Sequence, residues 1–329
     1  MLNSYLALAI LLPIAIISPF IAVCIGSADI PVIDFLVGLF GLQPLDEMAM
    51  INQQIILEIR MPRVLMAMIC GAGLAVSGAI LQCVTRNPLA DPYLFGISSG
   101  SSLGAVIAMT VGFAGLSLPA CAFLGALLAV SIVMLMAKDG QVERLILAGV
   151  AISFLLSSIS NLLIYFNDHQ AMQAVLFWTM GSFARASWAN IWLPLISVIV
   201  TLIAVQRLQR PLQALMAGDE SAHTQGVAVI WLRLGMLLLT AVVTASLVAY
   251  CGGIGFVGLM VPHIVRLAIG AASPIGYLIT AIAGAILMVW VDLLCRTLLP
   301  QQELPVGVVT AILGSLFFLG ILTHRKQKL

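Results

Sequence analysis

The side chains best suited to chemistry in this chain are four histidines, six cysteines, three lysines and a small set of arginines and carboxylates. Their spacing decides what they could do. The histidines, at 169, 223, 263 and 324, are scattered, with no H-E-x-x-H pair to place two imidazoles on one helix face around a metal. The cysteines, at 24, 70, 83, 121, 251 and 295, lack C-x-x-C spacing and fall in or at the ends of apolar runs. They read as small packing residues, neither a metal site nor a disulfide framework. No lysine lies in the G-x-x-x-x-G-K-[ST] context that cradles nucleotide phosphates. Hence no catalytic residue, metal site or cofactor is expected, and any energy from ATP must enter through another chain. What remains are Arg60 and Arg63, the pair Asp292 and Arg296 spaced to bond across one helical turn, and the polar run Ser157, Ser158, Ser160 and Asn161.

The elements that position these groups are spans of hydrocarbon. Of 329 residues 62% are hydrophobic and 8% charged, against about 25% charged in a soluble domain. No soluble fold hides that much apolar surface. A span needs about 20 apolar residues, and runs free of Asp, Glu, Lys and Arg fill most of the chain. The run 92–137 would be roughly 69 Å of helix, so it is divided between Gly112 and Pro119. The run 234–265 is divided at Gly252, Gly253 and Gly255, where helix is costly. The expectation is an all-α polytopic membrane protein, one domain of ten spans: 5–26, 64–84, 94–112, 118–137, 144–166, 189–206, 230–250, 254–269, 275–295 and 306–323. Cys24 follows the first run as in a lipoprotein signal, but Val23 is too large for its position and no basic segment leads the run.

An even number of spans places both termini on one side, and the tail His324, Arg325, Lys326, Lys328 marks that side as cytoplasmic. Ten of the fourteen basic residues then lie inside, leaving Arg60, Arg63, Arg185 and Arg296 outside. The spans lack the midplane charges of an ion-coupled carrier, and no charged ring or carbonyl filter suggests a channel. Asp292, near an outer end with Arg296 beyond it, reads first as half of a structural ion pair. Gly96, Gly100 and Gly104 recur every fourth residue and predict close helix packing, as the run Gly71, Gly73, Ala75, Gly78, Ala79 does less regularly.

Five stretches carry more local logic than hydrophobicity supplies. Residues 59–63 read I-R-M-P-R just before the second span, and 86–92 read R-N-P-L-A-D-P in an inner turn. Residues 218–226 read G-D-E-S-A-H-T-Q-G, with Asp219 placed as an N-cap, Glu220 at the positive helix end and Gly226 as terminator. That predicts a short helix outside the bilayer. Residues 252–266 read G-G-I-G-F-V-G-L-M-V-P-H-I-V-R, and 303–307 read E-L-P-V-G.

In this order the motifs, from Ile55 to Phe318, resemble the FecCD family, permeases of ATP-binding-cassette importers for ferric siderophores, haem and vitamin B12. The resemblance implies a type II importer: two permease chains, here most simply a homodimer, two cytoplasmic ATPase subunits and a periplasmic binding protein, in a bacterial inner membrane, with no nucleic acid involved. It further implies that Arg60, Arg63 and Arg296 dock the binding protein. Gly218, Asp219, Glu220, Ala222 and Gly226 would form the helix that couples to the ATPase, and Asn87, Pro88 and Leu89 the cytoplasmic gate. The fifth-span residues Ser157, Ser158, Ser160 and Asn161 are candidates for lining the path, on their polarity and on that span's place in relatives. Relatives usually carry Leu where this chain has Gln225 and commonly Pro where it has Gly253. Other readings are a small oxyanion such as molybdate as cargo, a secondary carrier working without an ATPase, and a non-transporting scaffold.

Overall fold

Where no water is available, backbone N–H and C=O groups must bond within the protein, and helix does this segment by segment. The computed structural model describes residues 3–26, 31, 33, 47–110, 117–138, 140–167, 169–270, 273–299 and 301–325, and among these the regular structure is helical. Gly112, Lys326 and Lys328 lie outside the described residues. In chain order the helices are α1 (Ser4–Cys24), α2 (Glu47–Gln54), a π-helical turn (Ile55–Arg60), α3 (Met61–Val84), a 3-10 turn (Pro92–Phe95), α4 (Ile97–Thr110), α5 (Leu118–Met136) and α6 (Val142–Tyr165). Then come α7 (His169–Thr179), α8 (Trp188–Arg207), α9 (Gln209–Met216), α10 (Asp219–Thr224), α11 (Val229–Cys251), α12 (Val257–Ile269), α13 (Gly276–Thr297) and α14 (Val306–Arg325).

Among the described residues, seven helical segments are long and apolar enough to cross a membrane: α1, the run Glu47–Val84, α5, α6, α8, α11 and α13. Three shorter apolar helices, Ile97–Thr110, Val257–Ile269 and Val306–Ile321, stand at the other positions expected for spans. The break expected near Gly252 falls there, since α11 ends at Cys251 and α12 starts at Val257.

α3 is the axis of the bundle, buried on nearly every side. Its small residues bring neighbours to backbone contact. A Cβ on Gly71 would lie 2.0 Å from the Gly284 carbonyl oxygen of α13, and one on Gly78 would lie 1.9 Å from that of Gly258 on α12. Gly100 and Gly104 do the same on α4, at 2.4 Å from the Gly125 oxygen and 2.1 Å from the Cys121 oxygen of α5. Gly96 stands just ahead of α4, and a Cβ there would meet the side chains of Ile152 and Ala129, at 3.5 and 3.6 Å, with no backbone that close. It ends the preceding 3-10 turn with φ +77°, so the glycine stripe has two members there rather than three.

The helix that carries Arg60 and Arg63 starts well before the span boundary expected at residue 64. Glu47–Val84 is one continuous run of 38 helical residues. Pro62 does not break it, because the helix widens into a π turn just before, with Met61 N–H bonded to the Ile56 carbonyl. The Leu57 carbonyl, which a residue other than proline at 62 would take in π register, instead accepts the indole N–H of Trp188 at 2.9 Å. Besides α2, two helices went unanticipated. α7 has 11 residues, too few for a span. α9 is amphipathic, with Leu212 and Leu215 buried on one side.

Replacing Gly78 by Val forces a side chain into the Gly258 backbone, and overpacking costs about 1–3 kcal/mol or more when backbone cannot yield. A Cβ on Gly235, by contrast, would meet nothing within 4 Å. In detergent, Gly78→Val is expected to lower the unfolding midpoint by several degrees, and Gly235→Ala to hold or slightly raise it.

Candidate functional site

Charged side chains gather at two ends of the bundle, here called the Arg63 end and the Arg233 end. At the first, α1 finishes with its last carbonyls unpaired and no basic residue of its own in its final turn. Such carbonyls carry the negative pole of the helix. Arg60 Nη1 donates to the Val23 and Cys24 oxygens, both at 2.9 Å. Arg296 donates through Nη2 to the Ala22 oxygen at 2.9 Å and through Nη1 to that of Ile25 at 3.4 Å. The two arginines together close the helix end.

Arg63 has carboxylate partners instead. Its Nε donates to Asp292 Oδ1 at 3.0 Å, and its two terminal nitrogens form a fork on Glu303, at 2.8 and 2.9 Å. Asp292 Oδ2 in turn lies 3.0 Å from Arg296 Nε, one helical turn along α13. The expected i, i+4 ion pair is therefore present and extends to a third partner on α3. Asp292 is fully buried, and Arg60, Arg63 and Arg296 are 5%, 7% and 7% exposed. Only Glu303 reaches outward, with 46% of its side chain exposed. Sequence reasoning did not select Glu303, although it opens the E-L-P-V-G motif.

The two glycine-bearing motifs meet at one junction. Ser182 N–H bonds to the Cys251 carbonyl at 2.8 Å, while Val306 and Gly307 donate to Gly181 and Met180, both at 3.0 Å. The end of α7, the α11–α12 break and the start of α14 are thus tied backbone to backbone. Gly181 and Gly252 take positive φ there, +75° and +73°. The Tyr93 hydroxyl donates to the Ile254 carbonyl and accepts from the Ile254 N–H, each at 3.0 Å. Irregular backbone inside a bundle is tolerated only when satisfied in this way.

At the Arg233 end the short helix expected from residues 218–226 is present as α10, with a different start. Gly218, at φ +127°, occupies the N-cap position without a side-chain bond, and Asp219 is already helical. Glycine reaches that φ without strain, which frees the Asp219 carboxylate for other partners. Arg233 Nη2 donates to it at 2.9 and 3.2 Å, and Arg86 Nη2 lies 3.3 Å away. Gly226 closes the helix, with its N–H on His223 and Val227 N–H on Ala222, the paired bonds of a Schellman ending. Ala222 is buried, while Glu220, His223, Thr224, Gln225 and Gly226 are exposed. No local motif in the sequence marks Arg233. It is 3% exposed and ties three segments together.

Arg86, with φ +51°, leads into the turn at Asn87, Pro88 and Leu89. Asn87 Oδ1 accepts the Leu89 N–H at 2.9 Å, the Asx geometry that begins a turn. Pro88 and Leu89 are exposed. The polar run on α6 divides by face. Ser157 bonds to Ser99 at 3.1 Å and Ser160 bonds back to the Leu156 carbonyl at 2.9 Å. Ser158 and Asn161 are exposed, in line with Phe154 and Tyr165.

The profile of the FecCD transport family matches residues 14–324. The hemin transport system permease HmuU of Yersinia pestis is 39% identical over 280 residues, covering 83% of this chain and 84% of that protein. The vitamin B12 import system permease BtuC of Vibrio cholerae is 37% identical over 318 residues, covering 95% of this chain and 93% of that protein. Among solved structures, an ABC transporter of metal-chelate type in an inward-facing conformation superposes with a TM-score of 0.86 at 31% identity. That match covers 97% of this chain and 98% of the other.

Breaking a buried ionic network by removing one partner costs roughly 3–5 kcal/mol, whereas an exposed pair contributes about 1 kcal/mol or less. Asp292→Asn, which strips Arg63 and Arg296 of a buried counter-charge, is therefore expected to destabilise the detergent-solubilised protein strongly. Glu303→Gln is expected to be nearly silent in the same thermal-unfolding measurement.

Proposed function

The chain belongs to the FecCD transport family, and from that premise we propose that it forms the translocation path for an iron–siderophore, haem or corrinoid complex. It is a permease subunit of an ABC transporter, not an enzyme, and hydrolysis of ATP takes place in a separate subunit. The observation that carries the cargo class is that relatives alike over most of their length are permeases for hemin and for vitamin B12, both bulky metal chelates. Membrane-spanning helices with few charges suit such cargo, since a wide and weakly polar path gives it no strong site in which to lodge.

The proposed setting is a bacterial inner membrane, with the Arg63 end toward the periplasm, the Arg233 end and both termini in the cytoplasm. A second copy of the chain completes the path. Ser158 and Asn161 support this reading: lipid cannot satisfy their side chains, whereas water in a path between two copies can. A periplasmic binding protein docks at the Arg63 end, and two ATPase subunits bind the exposed face of α10. Docking through Arg60, Arg63 and Arg296 then needs an exchange of partners, because the Arg63 fork is occupied by Glu303. Carboxylates of the binding protein would displace it. The turn at Asn87, Pro88 and Leu89 serves as the cytoplasmic gate, and α10, with Gly218, Asp219, Glu220, Ala222 and Gly226, couples it to the motor.

In proteoliposomes holding the permease and its ATPase, with binding protein on the periplasmic side of the bilayer, ATP-dependent uptake is expected for one of haem, cobalamin or a ferric siderophore. Uptake of molybdate instead, or uptake independent of ATP, would sink the assignment. Cysteine at 158 or 161 should react with a water-soluble maleimide in the assembled transporter, and cysteine at 160 should not. Equal protection at all three positions would remove α6 from the path. Glu303→Gln should tighten binding-protein docking severalfold at low salt, because it weakens the competitor for Arg63. Unchanged or weaker docking would argue against exchange.

A further inference from the structure

We propose that Asp219 is the joint through which α10 moves the gate, with Arg86 as the arm that reaches the turn and Arg233 as the anchor that holds the joint to the bundle. The inference rests on the roles proposed above for α10 and for the turn at Asn87–Leu89. It assigns them a connection and names two positioning residues that transmit motion.

Asp219 differs from the rest of α10 in what its side chain touches, although 39% of it is exposed. Glu220, His223 and Thr224 are the exposed residues of the helix, whereas the Asp219 carboxylate is engaged by two arginines from elsewhere in the chain. A coupling helix needs both faces: one that is pushed and one that pulls. Arg233 is fitted to be the fixed partner. Its side chain is 4% exposed, and besides Asp219 it donates to the Val84 carbonyl at 3.1 Å and the Gly140 carbonyl at 2.8 Å. It therefore joins α10 to the last turn of α3 and to the connection between α5 and α6.

Arg86 is fitted to be the movable partner. Its side chain is 44% exposed and the contact to Asp219 is longer, at 3.3 Å. Its backbone is left-handed, at φ +51°, a conformation that side-chain-bearing residues adopt at a cost when the surroundings hold them there. The next residue is Asn87, whose side chain sets the turn. Loss of the Asp219 contact would remove a restraint on a strained backbone position immediately before the gate. A cavity of about 360 Å3, lined by Arg86, Gly140, Asp219, His223 and Arg233, adjoins the contact and leaves room for displacement.

The test uses the permease–ATPase complex in nanodiscs, with Leu89 replaced by cysteine. Maleimide labelling at position 89 is read by mass spectrometry, nucleotide-free and vanadate-trapped. With Arg86 intact the two states should differ in labelling rate by about tenfold, within the usual range of allosteric coupling. Arg86→Gln is expected to abolish most of that difference while the complex still assembles, and Arg86→Lys to restore it. Asp219→Asn should match Arg86→Gln, with the double variant no worse than either, since contacting residues are non-additive. If Arg86→Gln keeps the full difference, or the two effects add, Asp219 does not work through Arg86 and the inference fails. If position 89 labels alike in both states with Arg86 intact, the gate assignment itself falls, and this inference with it.

Discussion

A buried polar group in a membrane protein has no water to fall back on, and this one constraint organises the whole chain. Several places where helix is interrupted or ended show a specific remedy. The last carbonyls of α1 are taken by Arg60 and Arg296. The carbonyl facing Pro62 is taken by Trp188. The irregular segments at 180–182, 251–254 and 305–307 satisfy one another, with Tyr93 serving Ile254 from both sides. Three of the four buried arginines among the described residues are therefore backbone partners first. Arg60, Arg233 and Arg296 all donate to main-chain carbonyls from sites under a tenth exposed.

The same constraint shapes the ionic clusters. A lone guanidinium in an apolar setting is costly, so Arg63 and Arg296 share the fully buried carboxylate of Asp292, and Arg63 holds a second carboxylate, Glu303, at the rim. The rim member, Glu303, is the exposed and hence exchangeable one. At the other end Asp219 divides its charge between a buried and a half-exposed arginine. Both clusters pair a fixed contact with one that solvent can reach, and a partner protein can compete only for the latter.

Much of the fold was legible because a span is written in composition: long uncharged runs, broken at Gly-rich or Pro-rich points. The family motifs were legible for a related reason, since G-G-I-G-F-V-G and E-L-P-V-G mark backbone geometries that side chains obstruct. What the sequence concealed depended on contacts distant in the chain. Arg63 finds Asp292 and Glu303 well over 200 positions away, and nothing local marks it as buried. Asp219 has the composition of an N-cap, yet Gly218 took that place because a glycine at φ +127° frees the carboxylate for Arg233. Gly96 fits the every-fourth-residue stripe by number only. The stripe assumes one continuous helix, and the 3-10 turn ending at Phe95 interrupts it.

The helix that links the two ends is α3, which begins beside Arg63 and delivers the Val84 carbonyl to Arg233, a span of about 36 Å at 1.5 Å per residue. Side chains that interdigitate loosely absorb small shifts by changing rotamer. Here the contacts of α3 with α12 and α13 at Gly78 and Gly71 are backbone against backbone, so no rotamer is available to yield. The three helices must therefore move together or not at all, and rigid elements of this kind carry displacement by bodily motion. Flexibility is left to what surrounds them: the turn at Asn87–Leu89, α10 on its two arginines, and the junction at Gly181 and Gly252. Functional motion in such a bundle belongs at these joints, because they are the places where irregular backbone has been allowed and then tied.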